Sequence, residues 1–230
     1  MRALLYDIHG NVRALDAVLR DATQQGADEY FVGGDVALFG PWPEATVERL
    51  RELAPATWIR GNGERWTAAP DDLPAPLRAA AQASREALGD ELVAELGALP
   101  ESAPLDDRTR AWHGSPLSDV RSFTADDDDD DELLDGATEA RLVFGHTHVQ
   151  FRRAASVGDI ELINPGSVGM PLDGDHRAAY ALLHDDGTIE HRRVAYGHGD
   201  APAALRERYG DPAWIQAPLY RLTHARFEPT

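Results

Sequence analysis

Apolar runs at Arg2–Tyr6, Asp28–Val32 and Ala56–Arg60 alternate with two segments whose apolar residues recur at helical spacing: Val12, Leu15, Val18, Leu19 and Ala22, then Val47, Leu50 and Leu53. This β-α-β-α-β order constrains the chain more than any other feature. Consecutive strands separated by a helix lie parallel and are joined by right-handed crossovers. Each run stops at a polar, glycine-bearing turn: Asp7-Ile8-His9-Gly10-Asn11, Gly33-Gly34-Asp35 and Gly61-Asn62-Gly63-Glu64. Ligands in such sheets gather beyond the carboxyl ends of the strands, so Asp7, His9, Asp35 and Asn62 share one edge as candidate site residues. Asn11 stands where a helix N-cap belongs, and Gly26 where that helix stops.

Downstream, Pro76–Leu99 carries an Ala/Leu-rich, charge-studded pattern that reads as one or two helices covering a sheet face. Arg108–Trp112 is a further strand, ending at His113-Gly114-Ser115-Pro116. In Arg141–Gln150 the run Leu142-Val143-Phe144 breaks at Gly145, and His146 and His148 follow at once. Residues two apart in an extended segment share a face, so both imidazoles can reach one site or two adjacent ones; in isolation the pair is as readily two surface histidines. Strands follow at Val149–Ala155 and Asp159–Ile163, then the turn Asn164-Pro165-Gly166-Ser167-Val168-Gly169 and a hairpin, Ala178–His184 and Thr188–Val194, around Asp185-Asp186-Gly187. Residues 118–136 are expected as an acidic loop or lid insertion, since Asp126–Asp131 is an unbroken Asp run whose commonest fate is solvation. Residues 196–230 read as a helical or irregular tail packed on the outside, with Ala203–Tyr209 its best helix.

At 230 residues and 43% hydrophobic, the chain suits a single domain spanning 1–230. It holds no cysteine, so a metal ion must be taken by His, Asp, Glu or Asn, which selects hard or borderline cations. The formal net charge of -18 makes nucleic acid a poor partner and draws divalent cations toward any carboxylate-lined cleft. No stretch reads as a secretory leader or as a membrane span, so a cytoplasmic protein is expected. The sequence leaves the oligomeric state open.

Asp7, His9, Asp35, Asn62, His113, His146 and His148 are all oxygen or nitrogen donors. They are too many for one tetrahedral zinc and suit two cations about 3.5–4 Å apart that share a bridging carboxylate. In order along the chain, D-I-H-G-N, G-G-D, G-N-G-E, H-G-S-P and G-H-T-H resemble the motif blocks of the calcineurin-like metallophosphoesterases, and most closely their small bacterial and archaeal phosphodiesterase branch. That resemblance implies an α/β fold, a four-layer α/β/β/α sandwich of two mixed β-sheets flanked by helices. It implies that Asp7, His9 and His148 hold one divalent cation and Asn62, His113 and His146 a second, with Asp35 bridging. Manganese is the first expectation for both ions, with iron, zinc, nickel or magnesium as alternatives. Asn62, His113 and Asp35 become the catalytic set. The implied reaction is hydrolysis of a phosphodiester or a nucleotide pyrophosphate by water held between the ions, on a small phosphoester or nucleotide substrate. A phosphomonoesterase, including a protein phosphatase, is the runner-up.

One position departs from the pattern. Many members have His after the motif Asn, to protonate a leaving group or bind phosphate, and here the residue is Gly63. The loss favours substrates with good leaving groups and also motivates a non-catalytic, metal-binding scaffold as an alternative. Glu64, Arg65 and Trp66 are near enough in sequence to compensate, Arg65 as a phosphate clamp if it is not simply a surface arginine. Asn11 is read as a helix cap, with contact to a metal ligand or the substrate as its other reading. The block at Asn164–Gly169 is read as a turn, or else as backbone lining near the second ion. Trp42, Trp58, Trp66 and Trp112 either pack in the core or stack a base.

Overall fold

The computed structural model describes residues 1–126 and 129–228. The chain runs β1 (Arg2–Leu5), α1 (Val12–Gln25), β2 (Glu29–Val32), α2 (Pro43–Arg51), β3 (Ala56–Trp58), α3 (Asn62–Ala68), α4 (Ala75–Leu88) and α5 (Asp90–Gly97). It continues through β4 (Ser102–Asp106), β5 (Thr109–Trp112), α6 (Asp130–Leu134), β6 (Arg141–Val143), β7 (Phe151–Ala154) and β8 (Glu161–Asn164). A hairpin, β9 (Ala178–Leu183) and β10 (Ile189–Val194), is followed by α7 (Asp200–Tyr209) and α8 (Gln216–His224), with a short 3-10 turn at Ala213–Ile215 between the helices.

The apolar character of both faces of β1 dictates the layering. Ala3 and Leu5 face α1 and α2, against Leu15, Val18, Val47 and Leu50. Leu4 and Tyr6 face the other way, against Ala111, Val143 and Ile163 of a second sheet. Alternation along a strand thus builds two apolar interfaces from one short run. The first sheet has the order β10-β9-β1-β2-β3, with β1, β2 and β3 parallel and the hairpin antiparallel. The second has the order β4-β5-β6-β8-β7, with β5, β6 and β8 parallel and antiparallel strands at both edges. Both sheets are mixed and helices flank them, the α/β/β/α sandwich that the sequence leads one to expect.

Several expectations need correction. The hairpin of the second half joins the sheet of the first: β9 pairs with β1, because the apolar β9 is buried along its whole length and needs cover on both faces. The strand β4 is absent from the sequence reading, its SAPLD pattern interrupted by a proline. At Asn62 a helix begins where the sequence suggested a turn, since the Glu64 side chain reaches back to the Gly61 N–H at 2.7 Å and caps it.

The acidic segment is also more than a solvated loop. Leu133 and Leu134 of α6, with Phe123, pack on Leu142, Phe144 and Leu162 and cover the outer face of the second sheet. Asp130 is buried and accepts two 2.6 Å hydrogen bonds from Arg153. Asp127 and Asp128 of the same run lie outside the described residues. The C-terminal tail, of which Pro229 and Thr230 lie outside the described residues, buries Leu205, Ile215, Leu219 and Leu222 against Met170, Phe39 and Trp42. No described helix is long and apolar enough to cross a membrane.

Candidate metal centre

The carboxyl ends of β1, β2, β3, β5 and β6 meet at one edge, and all of the expected donors from Asp7 to His148 are delivered there. Five of them, Asp7, His9, Asp35, His146 and His148, have φ between 47° and 68°. A non-glycine residue in this left-handed region costs on the order of 1 kcal/mol and persists only where its surroundings over-determine it. Those surroundings are visible. The loops after β1 and β2 keep pairing beyond the strands, through Asp7 N–H to Gly34 O (3.2 Å), His9 N–H to Asp35 O (2.9 Å) and Gly10 N–H to Val36 O (2.8 Å). Gly34 has φ 90°, and a Cβ on it would stand 2.8 Å from His113 Nδ1.

Glu64, which the sequence reading treated only as a possible stand-in for the missing His, is the bolt between two of these loops. Its carboxylate is buried and accepts from Asp35 N–H and Val36 N–H, both at 2.9 Å, as well as from Gly61 N–H. Burial, then the charge of Asp35, pushes its carboxyl up, and the three backbone donors oppose this. With its carboxylate committed to three backbone donors, Glu64 is a positioning residue. The segment Asn164–Met170 is likewise more than a turn: Ser167 Oγ donates to Asp7 O at 2.6 Å and Asn164 Nδ2 to Gly145 O at 3.2 Å. Its spacing in the sequence gave no sign of this, because the partners lie 19 and 160 residues away.

Three histidines are fixed in one tautomer. His9 Nδ1 donates to Leu38 O (2.8 Å), His113 Nδ1 to Gly33 O (2.9 Å) and His148 Nδ1 to Met170 O (2.6 Å). Their Nε2 lone pairs therefore point inward. His9 Nε2 and His148 Nε2 lie only 3.0 Å apart, lone pair to lone pair. Two nitrogens held at right angles by one ion about 2.1 Å away would be about 3.0 Å apart. Across the site the Asn62 carboxamide lies 3.0 Å from His113 Nε2 and 2.9 Å from His146 Nδ1.

Between these groups sit two buried carboxylates. Asp35 turns Oδ2 toward His9 Nε2 (3.9 Å) and Oδ1 toward His113 Nε2 (3.5 Å). Asp7 Oδ1 is buried with no hydrogen-bond partner and stands 3.5 Å from His148 Nε2 and 3.9 Å from His113 Nε2. Burial, opposed by His113 and reinforced by Asp35, pushes the Asp7 carboxyl up to about 8. Burial opposes ionisation of Asp35 too, but His113 and His9 outweigh it and hold that carboxyl low. Burial likewise depresses His148 far below the ordinary imidazole range and His146 to about 4. Nitrogen and oxygen donors converge on an enclosed space, where a cation would displace the proton that the raised Asp7 carboxyl otherwise keeps near neutral pH, an arrangement complementary to cations. Asp7, His9 and His148 form one potential ligand group, and Asp7, Asp35 and His113 another.

A match to the sequence profile of the calcineurin-like phosphoesterase superfamily domain extends over residues 1–188. The chain belongs to that superfamily. It is thus a metallophosphoesterase, and the family is metal-dependent. An uncharacterised protein of Methanocaldococcus jannaschii is 30% identical over 218 residues, spanning 85% of this chain and 88% of its own length. The phosphodiesterase YfcE of Escherichia coli is 29% identical over 191 residues, spanning 78% of this chain and 85% of its own. A metallophosphoesterase of Sphaerobacter thermophilus superposes with a TM-score of 0.80 at 28% identity, over 97% of this chain and 98% of that one.

Two residues with a possible substrate contact have other partners in the fold of the metallophosphoesterase. Asn11 is fully buried: its Oδ1 caps α1 at Ala14 N–H (3.2 Å), and its Nδ2 donates to Gly169 O (2.9 Å) and Tyr196 Oη (3.1 Å), so no atom is left for a ligand. Arg65 is clamped by two 2.6 Å bonds to Asp119 and lines a separate pocket behind His113. Of the tryptophans, Trp66 lines the cleft over the centre; Trp42, Trp58 and Trp112 pack in apolar clusters. That cleft encloses about 620 Å³ and is largely apolar, with Phe39, Phe151, Leu172 and, from the tail, Arg221 and Phe227 in its walls.

Proposed function

We propose that this phosphoesterase hydrolyses phosphodiester and nucleotide pyrophosphate bonds at a centre of two divalent cations. The observation that carries the reading is the convergence of three carbonyl-locked imidazole lone pairs on the buried Asp7 and Asp35 carboxylates. Asp7, His9 and His148 would hold one ion and Asn62, His113 and His146 the other. Asp35 would bridge, with one oxygen toward each group. The position of Asp7 Oδ1 suits it to share that role. Manganese is the first choice, with iron, zinc, nickel or magnesium compatible with the same N/O donors, since no thiolate is present to select a soft metal.

The bound cations supply Lewis-acid polarisation of the phosphoryl oxygens and a lowered pKa for attacking water. The chain's own residues determine the rest. Asp35, Asn62 and His113 would act by holding the ions in place at the reacting phosphoryl group. Gly63 offers no proton to a leaving oxygen, and Glu64 beside it is committed to three backbone donors. Substrates whose leaving group departs without protonation, an activated diester or a phosphoanhydride, are therefore favoured over alkyl monoesters. The diesterase name of the Escherichia coli relative supports the same ranking.

The same Gly63 motivates the competing scaffold reading. Manganese-loaded protein assayed with bis(p-nitrophenyl) phosphate and with p-nitrophenyl phosphate separates the alternatives. Diester turnover that exceeds monoester turnover and is abolished by Asp35→Asn or Asn62→Ala is the expected result. Tight metal binding without turnover of either ester would establish the scaffold instead, and faster monoester turnover the phosphomonoesterase.

A further inference from the structure

The superfamily match ends at residue 188, yet the cleft over the centre is completed by residues well beyond it. Helix α8 and the residues after it bring Arg221 and Phe227 to the wall, and the tail is anchored there by Leu219 and Leu222 packing near Met170, Phe39 and Trp42. Arg221 is the only arginine or lysine among the described residues of that wall, in a chain of net charge -18. A phosphate-bearing substrate thus meets one fixed cationic side chain in the cleft.

The guanidinium is held but not saturated. Arg221 forms an ion pair with Glu228, with contacts of 3.1, 3.2 and 3.4 Å, lies 5.4 Å from the centre of the Phe227 ring, and makes no hydrogen bond through Nη1 among the described residues. Arg65 and Arg153, by contrast, are each clamped by two 2.6 Å bonds to a carboxylate. Arg221 lines the same cleft as His9 and His148, so the guanidinium faces the centre.

The aromatic residues point the same way. Phe39 has φ 70°, a left-handed conformation that a bulky residue adopts only under constraint, and its ring sits 6.2 Å from that of His9. Trp66 lines the cleft as well. Phe227 is 55% exposed, a large apolar surface left uncovered at a cleft of about 620 Å³, a volume suited to a nucleotide-sized ligand.

Resting on the hydrolase reading above, we propose that the C-terminal segment is the substrate-recognition wall of this enzyme and selects nucleotide pyrophosphates. Arg221 binds the linked phosphoryl group that does not react, and Phe39, Trp66 and Phe227 hold the base. A simple diester with one phosphorus and no second anionic group leaves Arg221 with Glu228 alone, so the wall confers preference among substrates and takes no part in bond cleavage. A charge-assisted hydrogen bond of this kind is worth roughly tenfold or more in affinity. Loss of one stacking face is worth several-fold.

The test is binding to the full-length manganese-loaded chain by titration calorimetry, with α,β-methylene-ADP and inorganic phosphate as the two probes. Arg221→Gln is expected to weaken the nucleotide analogue at least fivefold more than it weakens phosphate. Arg221→Lys should recover part of that loss, and Phe227→Ala should weaken the analogue alone. Equal weakening of both probes, or of neither, overturns the proposal. Wild-type protein that binds the analogue in this Arg221-dependent manner but cleaves no phosphoester would remove the hydrolase reading and leave the recognition wall standing. Turnover of diesters with analogue binding indifferent to Arg221 would do the reverse.

Discussion

Replacing Asp7 by Asn is expected to stabilise the metal-free protein and, in the same molecule, to remove its stabilisation by manganese. Asp7 is fully buried, its Oδ2 accepts the His146 N–H at 3.0 Å, and its Oδ1 has no partner. Burial, with Asp35 adding to it and His113 opposing, raises its carboxyl from 3.8 to about 8. For an acid, a folded pKa above the unfolded one means that folding loses stability as pH climbs from 3.8 toward about 8. Near neutral pH that interval is roughly three units, which at about 1.4 kcal/mol per unit gives a ceiling of about 4 kcal/mol. In a chain of this size each kcal/mol moves the melting temperature by about 2–4 °C, so the ceiling is about 8–16 °C. An Asn side chain keeps the acceptor for His146 N–H and turns an amide N–H₂ toward the imidazole lone pairs. Calorimetric melting of chelated protein should therefore show Asp7→Asn about 5 °C or more above wild type at neutral pH, converging near pH 4. Manganese at about 100 times its dissociation constant should add about 2.7 kcal/mol, or about 5–10 °C, to wild type and little to the variant. Asp7→Asn melting below wild type without metal, or keeping the full manganese shift, would refute the idea that this carboxylate is held against its own desolvation for a cation.

Glu64→Ala strands three buried backbone N–H groups and should cost about 3 kcal/mol or more, read as a lower urea midpoint with unchanged slope; a midpoint equal to wild type would contradict the bolt described for it. Gly63→His should not restore a general acid: a Cβ there would stand 2.8 Å from Asp35 Oδ1, so weaker manganese binding by calorimetry is expected, and undiminished binding with new monoesterase activity would count against the crowding argument. Asp130, buried and paired with Arg153, has its carboxyl held low, because Arg153 and Ser156 outweigh the burial that opposes ionisation. Its contribution is complete above pH 3.8 and is lost as pH falls through the lower folded value. The melting deficit of Asp130→Asn should accordingly be present at neutral pH and shrink below pH 3.8; a deficit independent of pH would assign the loss to packing alone.

The donors of the centre were legible because the constraint on them is local. A short apolar strand can end only in a turn, and at that turn the residue types themselves, Asp, His and Asn beside Gly, carry the chemistry. The same locality made most strands and helices readable from period alone, including the hairpin around Gly187. Which sheet that hairpin joins was not readable, since the apolar run of β9 is equally content against either neighbour until β1 offers it a pairing edge. The positive φ values at Asp7, His9, Asp35, His146 and His148 accompany loop-to-loop hydrogen bonds, and the choice between one site and two adjacent ones for His146 and His148 was open in the sequence for the same reason.

Residues that act across long separations stayed hidden for the same reason. Glu64 looked like a spare acid and Arg65 like a free cation, because nothing in the linear sequence announces the backbone donors that claim one or the Asp119 that claims the other. Arg221 and Phe227 lay in a tail with no motif, and only packing against Met170 and Phe39 brings them over the centre. Local order along the chain set the kinds of atoms available for chemistry and the edge at which they collect. The fold alone decided their orientation and protonation, and the wall they face, because those depend on burial and on partners far away in sequence.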